Sequence, residues 1–152
     1  RYKVLKEVID ETEHKVLIFV PFKHTIQILT DRLRKDGIST EIIEGAVSAT
    51  RRADTFKRFQ EDKNPRALVI QPQSAAHGVT LTAANTVVWW SPTPSLETYA
   101  QANARVHRAG QKNRCTVIQL EGSVAERRMY KLLDKKINVH SQIINLYQEL
   151  LD

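Results

Sequence analysis

Short apolar runs of strand-forming residues recur along this chain, each followed by a segment whose apolar positions repeat every three or four residues. That alternation constrains the fold more than any other feature. Lys15–Val20 (KVLIFV) is almost unbroken in β-formers, the pattern of a strand covered on both faces. Ile38–Ile43, Ala67–Ile70, Thr86–Trp90 and Cys115–Leu120 are expected to supply the other strands. Helices are expected between them. Tyr2–Glu13 places Val4, Leu5, Val8 and Ile9 on one side, and His24–Lys35 turns Ile26, Leu29 and Leu33 inward before Gly37 ends it. Ser48–Phe59 follows with Ser48 as N-cap, and Ser95 caps a helix expected to run to about Arg108. Val124–Lys136 and Ser141–Leu150 read as two closing helices. Strand and helix alternating through short connections predict an α/β fold, a mainly parallel sheet with helices on both faces. In such sheets ligands bind beyond the carboxyl ends of the strands. Functional residues are therefore expected just after Val20, Ile43, Ile70, Trp90 and Leu120.

The remaining bulk features bound the chemistry. A chain of 152 residues is one domain by the usual prior, and 41% apolar with 26% charged residues excludes a disordered segment. The excess of 23 Lys+Arg over 17 Asp+Glu, a net charge of +6, favours a polyanionic partner. The lone Cys115 has no partner for an internal disulfide and is expected as a buried, inert thiol in a reducing, cytoplasmic compartment. No apolar run approaches the ~20 residues of a membrane span, so no membrane partner is expected. Met129 is the sole methionine, and the chain reads as a segment of a longer protein. Histidines at 14, 24, 77, 107 and 140 lack metal-ligand spacing, so no metal site is expected. No nucleophile–base pair stands out, and the phosphate cradle GxxxxGK[ST] is missing.

Against that background, Gln101–Gln111 (QANARVHRAGQ) is informative. On a helix Gln101, Arg105 and Arg108 would form one row, with small alanines around them and Gly110 beyond. Two guanidinium forks there suit a phosphate, because each can hold two oxygens at once. The competing reading is a solvated basic face at a helix end. The small-residue loop Gln71–Leu81 lets backbone approach a ligand at Gly78, or is simply a tight loop with one helical turn. Pro21-Phe22-Lys23 and Glu44-Gly45 admit plain turn chemistry. Trp89-Trp90 is expected to pack core and rim rather than stack on bases. The basic run His107, Arg108, Lys112 and Arg114 either touches a nucleic-acid backbone or is solvated.

These segments, in this order, resemble the second RecA-like lobe of superfamily-two helicases, specifically the Swi/Snf-type ATPases and most of all their phage and bacterial members. The likeness runs over nearly the whole chain. QANARVHRAGQ resembles the family's motif six, Q-A-x-x-R-x-H-R-x-G-Q, and QSAAHGVTLTAANTVVWWSPTPSLETYAQ its motif five and following segment. KVLIFVPF resembles motif four, EGAVSATRRADTFKRF matches the G-x(6)-R-x(6)-F element at Gly45, Arg52 and Phe59, and GSVAERRMYKLLDKK resembles the closing V-x-E-R helix. The chain departs from the family pattern with Ala75-Ala76 for Gly-Gly, Thr80 for asparagine, and Ser91-Pro92 for Asn-Pro.

The resemblance implies a RecA-like three-layer lobe that forms half of an ATP-driven DNA translocase or helicase and is inactive alone. ATP would lie in a cleft whose other wall, the first RecA-like lobe of the same protein, carries the phosphate loop and the Mg²⁺-binding carboxylates. Arg108 is implied as the arginine finger, Arg105 as a second contact to the terminal phosphate, Gln101 as orienting them or coupling the cleft to the nucleic-acid track, and Gly78 as lying beside the nucleotide. Phe22, Lys23, Arg52, Gln71 and Gln73 are implied as backbone contacts to DNA, expected to be double-stranded; Arg52 reads equally as a salt-bridging helix residue. Two rivals stand beside this. One is a former motor lobe that only grips nucleic acid or protein. The other, a dinucleotide-binding enzyme, wants a GxGxxG turn after the first strand, and Pro21-Phe22-Lys23-His24 holds no glycine.

Overall fold

A computed structural model describes residues 1–75, 80–107 and 110–151. Gly78 and Arg108 lie outside the described residues, and so does His77. The elements are α1 (Tyr2–Glu11), β1 (Lys15–Phe19), α2 (Lys23–Lys35), β2 (Thr40–Ile43), α3 (Ala49–Glu61), β3 (Ala67–Ile70), a 3₁₀ turn (Pro72–Ala75), β4 (Ala84–Trp89), α4 (Leu96–Asn103), β5 (Thr116–Gln119) and α5 (Val124–Leu151). The strands form one sheet in the order β2-β3-β1-β4-β5, and every neighbouring pair is parallel. This is the expected three-layer α/β architecture.

Strand alternation sorts the core into two halves. Leu17 and Phe19 of β1, Leu68 and Ile70 of β3, and Val87 and Trp89 of β4 face Phe59, Tyr99, Tyr130 and Leu133 of α3, α4 and α5. Val16, Ile18, Val69 and Val88 face Leu5, Ile9, Ile26, Leu29 and Leu33 of α1 and α2. Because β3, β1 after Lys15 and β4 after Thr86 are buried on both faces, ALVI, VLIF and VVW read as unbroken apolar runs. Caps set the helix starts as expected: Ser48 Oγ accepts from Arg51 N at 3.2 Å, and Ser95 Oγ accepts from Thr98 N at 3.1 Å. Gly37, with φ of +84°, takes the left-handed turn after α2.

Three expectations are corrected. The helix after Ser95 ends at Asn103, not near Arg108, with Ala104 as its C-cap. Beyond it the carbonyls leave the helical ladder: Arg105 O accepts from Leu81 N at 2.9 Å, and Val106 O accepts from Gln111 Nε2 at 2.8 Å. The two closing helices are one continuous α5, because residues 137–140 hold no glycine or proline to break it. Its distal part is largely exposed, with Leu150 82% accessible. Cys115 precedes β5 rather than opening a buried strand, and is half-buried. β5 is an edge strand whose Thr116 and Val117 face solvent. Among the described residues, no helix is long and apolar enough to cross a membrane.

Candidate functional site

The candidates divide between opposite ends of the sheet. At the carboxyl ends of β1, β2 and β3, the loops carry Phe22, Lys23, Glu44, Gln71 and Gln73, and α3 brings Arg52 alongside. Phe22, 62% exposed, is the N-cap of α2, and its carbonyl accepts from Thr25 N and Ile26 N. Lys23 Nζ stands 3.7 Å from Glu44 Oε2, and 69% of its side chain is exposed. Arg52 donates through Nη2 to Glu44 O at 3.1 Å, so it braces the loop after β2. Its Nε is buried with no hydrogen-bond partner among the described residues. Gln71 N donates to Ile43 O at 2.9 Å, which joins the β2 and β3 ends, and Gln73 is exposed on the 3₁₀ turn. The proposed track residues thus share one edge.

Arg105 does not lie there. α4 begins beyond the carboxyl end of β4 and runs back, so its last turn returns to the opposite edge. Leu81, just ahead of β4, donates to Arg105 O at 2.9 Å. Gln111 Nε2 donates to Ala84 O, at the first residue of β4, at 2.9 Å. The expectation that all functional residues follow the strand ends is therefore wrong for motif six, whose loop sits at the amino edge of β4.

Arg105 is also not displayed on a helical row. It is 5% exposed, its Nε donates to Gln101 O at 2.8 Å, and its backbone N–H donates to Ala102 O at 3.2 Å. Gln101 instead turns its amide toward Glu97 Oε1 at 3.2 Å. The structure brings Gln101 and Arg105 together through a main-chain carbonyl, not as neighbouring side chains on one helix face. Among the described residues, no group of three or more His, Cys, Asp or Glu side chains is placed to hold a metal.

Two residues given no role by sequence reasoning flank this loop. Asn103 Oδ1 accepts from Trp89 Nε1 at 2.8 Å. Gln111 bridges Val106 O and Ala84 O at 2.8 and 2.9 Å. The signal for Gln111 was its place at the close of the QANARVHRAGQ match. Nothing in the local sequence pairs Asn103 with Trp89.

Comparison with known proteins agrees with this geometry. The family described as helicase conserved C-terminal domain matches residues 1–110. The chain is 33% identical over 137 residues to the CHD3-type chromatin-remodeling factor CHR7 of Arabidopsis thaliana, covering 86% of this chain and 11% of that protein. An uncharacterized ATP-dependent helicase of Mycoplasma pneumoniae is 32% identical over 114 residues, 72% of this chain and 11% of its own length. Across such curated relatives the chain spans only between 6% and 15% of their length. The C-terminal part of the Fun30 ATPase domain superposes with a TM-score of 0.78 at 26% identity, covering 87% of this chain and 43% of that one. The C-terminal domain of the DEAD-box protein Dbp5, at 23% identity, TM-score 0.74 and coverage of 90% and 77%, shares the fold. The parallel sheet, the motif-six loop returned to its amino edge and these matches make the chain a member of the helicase conserved C-terminal domain family, homologous to the C-terminal lobes of Swi/Snf-type superfamily-two helicases.

Proposed function

We propose that this chain is the second motor lobe of an ATP-dependent DNA translocase or helicase. The two sheet edges do different work. The carboxyl edge, with Phe22, Lys23, Arg52, Gln71 and Gln73, follows a DNA phosphate backbone. The amino edge of β4, with Arg105, faces the first RecA-like lobe of the same protein across ATP, and Arg108 and Gly78, outside the described residues, are assigned to that nucleotide by their places in the sequence motifs. The observation that carries the reading is the fixed guanidinium of Arg105 at the end of α4, three residues before Arg108. Such forks fit a phosphate group and little else available to a lobe without a phosphate loop. ATP, with Mg²⁺ held by the first lobe, supplies the phosphoryl group whose hydrolysis drives the cycle. Arg108 meets the charge that spreads over that group in the transition state, Arg105 supports it from the loop, and Gln101 orients Arg105 through its carbonyl. In this reading the first lobe supplies the group that activates water, so hydrolysis requires both lobes.

One observation favours a second reading. Arg105 is buried and bonded to the protein's own backbone, which a non-catalytic module gripping nucleic acid or protein would also use. Arg108→Ala in the protein that carries both lobes separates the two. As a motor, it loses hydrolysis by roughly 10³–10⁵ while DNA binding persists. Unchanged hydrolysis overturns the motor reading, and turnover by residues 1–152 alone overturns the split site.

A further inference from the structure

α5 carries two apolar rows, and they have different surroundings. Tyr130, Leu133 and Ile137 pack with Phe59 and Tyr99 in the core. A second row, Leu132, Lys136, Val139, Ile143, Leu146 and Leu150, stands exposed along the helix. Its members recur at alternating steps of four and three residues, the spacing of a coiled-coil seam. Leu132 is 55% exposed, Ile143 58% and Leu146 61%, and Ile144 and Tyr147 widen the row on one side. Ser141, Gln142, Asn145, Gln148 and Glu149 make the opposite face polar. A row so sharply bounded is the mark of a face that becomes buried, unlike apolar residues scattered singly over a surface.

We infer that this row is a self-association surface, on which α5 of one chain packs antiparallel against α5 of a second copy. The inference goes beyond the motor reading and does not depend on it.

The charges select both the occupant and its direction. Lys135 and Lys136 stand on the half of α5 nearer the core, and Glu149 on the distal half. Asp134 is turned away from the row, where it accepts from Gln119 Nε2 at 3.1 Å. Laid antiparallel with Val139 against Ile143 of the second copy, the seam sets Leu132 against Leu150 and Lys136 against Leu146. In that register Lys135 comes beside Glu149 of the second copy, and two-fold symmetry makes the pair twice. The Lys136 stem lies along the leucine while its ammonium reaches water. In a parallel pair Lys136 would instead face its own counterpart across the seam. The row is therefore complementary to itself in the antiparallel direction.

The shape agrees. A groove of about 450 Å³ runs where this half of α5 meets α4, lined by Leu96, Leu132, Val139 and Ile143 together with Lys135 and Lys136. It lies where the antiparallel register brings Leu146 and Leu150 of the second copy, side chains 61% and 82% exposed in the single chain. From 132 to 150 the seam is roughly 27 Å long, which suits a weak and reversible dimer.

The test follows the mass of the 152-residue chain by sedimentation equilibrium at low salt, over about 1–300 µM. The mass is expected to rise with concentration from 17.4 kDa toward twice that value. The Kd should lie in the range of roughly 1–100 µM, as a small interface gives. Leu146→Asp, at a position exposed in the monomer, should weaken association roughly 100-fold or more, because each dimer would bury two unpaired carboxylates. Lys135→Glu and Glu149→Lys should each weaken it on the order of 10-fold through two like-charge contacts per dimer. The two substitutions together should return the Kd to within about 3-fold of wild type. Melting should be unchanged in the monomer of every variant. A chain that stays at 17.4 kDa throughout overturns the inference and leaves the row to a different protein or segment. A dimer indifferent to Leu146→Asp places association on another surface, and a double charge swap that fails to recover the dimer overturns the antiparallel register.

Discussion

The two edges of the sheet hold positive charge in opposite ways. At the carboxyl edge Lys23 is mostly exposed and only loosely paired, 3.7 Å from Glu44. At the amino edge of β4, Arg105 is 5% exposed and bonded to Gln101 O at 2.8 Å. A cation that must meet successive phosphates of a moving polymer gains from side-chain freedom and hydration, and each such contact is weak and salt-screened. A cation that must meet one transition state gains from being fixed beforehand, since no reorganisation remains when the charge develops. In the proposed motor, the sheet would let one small lobe do both by separating the two demands between opposite ends of its strands.

The largest effect should break the amino edge. Arg105→Lys keeps the charge but loses the fork and the bond to Gln101. Hydrolysis by the two-lobed protein should fall at least 10²-fold, with DNA affinity held within about 3-fold. Equal losses in both measurements would erase the distinction between the edges. Next comes the element that spaces them. Trp89 stacks between Phe19 and Tyr99 and bonds Asn103, so Trp89→Ala should cost about 3–5 kcal/mol in denaturant unfolding. A cost below about 1 kcal/mol would mean that this core does not hold α4 against β4. Smaller again is the carboxyl edge. Lys23→Ala should leave stability within about 0.5 kcal/mol, weaken DNA uniformly across sequences and reduce the salt slope of binding by about 1. A sequence-dependent loss would mean that Lys23 reads bases rather than backbone.

Most of the architecture was legible because burial on both faces writes itself as apolar runs. KVLIFV and ALVI became β1 and β3, and the serines at 48 and 95 became the caps expected of them. The failures share a cause, which is competition for backbone groups by residues distant in sequence. From Gln101 to Gly110 the pattern reads as helix with a glycine stop. The carbonyls of Arg105 and Val106 are instead taken by Leu81 N and the Gln111 side chain, and the helix ends early. The side of the sheet was missed for a topological reason. The rule about carboxyl ends holds for loops that leave strands, whereas motif six lies at the far end of a helix that has already crossed back. Placing the motif on its helix and then following the helix's direction would have found the edge. The split expected within α5 fell on residues 137–140, Ile-Asn-Val-His, which hold no helix breaker, so the helix runs straight through.

The smallest effect concerns how the carboxyl edge is tied to its neighbours. Arg1 donates to Glu126 at 2.6 and 3.0 Å and to Trp90 O at 3.0 Å, while Gly122 N donates to Glu126 Oε1 at 2.8 Å. The start of α1, the end of β4 and the start of α5 therefore meet at one carboxylate. Burial pushes the Glu126 carboxyl up, but the bonds from Arg1 and Gly122 and the charge of Arg1 outweigh it and hold the carboxyl below its ordinary value. A folded-state pKa below the unfolded one contributes stability that is present above the unfolded value of about 4.3. That contribution is lost as pH falls through the lowered folded value. With roughly a quarter of each side chain exposed, the contribution should be no more than about 1 kcal/mol. The wild-type chain should lose that increment below pH about 4.3, and Glu126→Gln should lack it at neutral pH and show a flatter acid limb. Parallel acid limbs would place the acid sensitivity elsewhere. Acid should therefore loosen this joint beside the carboxyl edge.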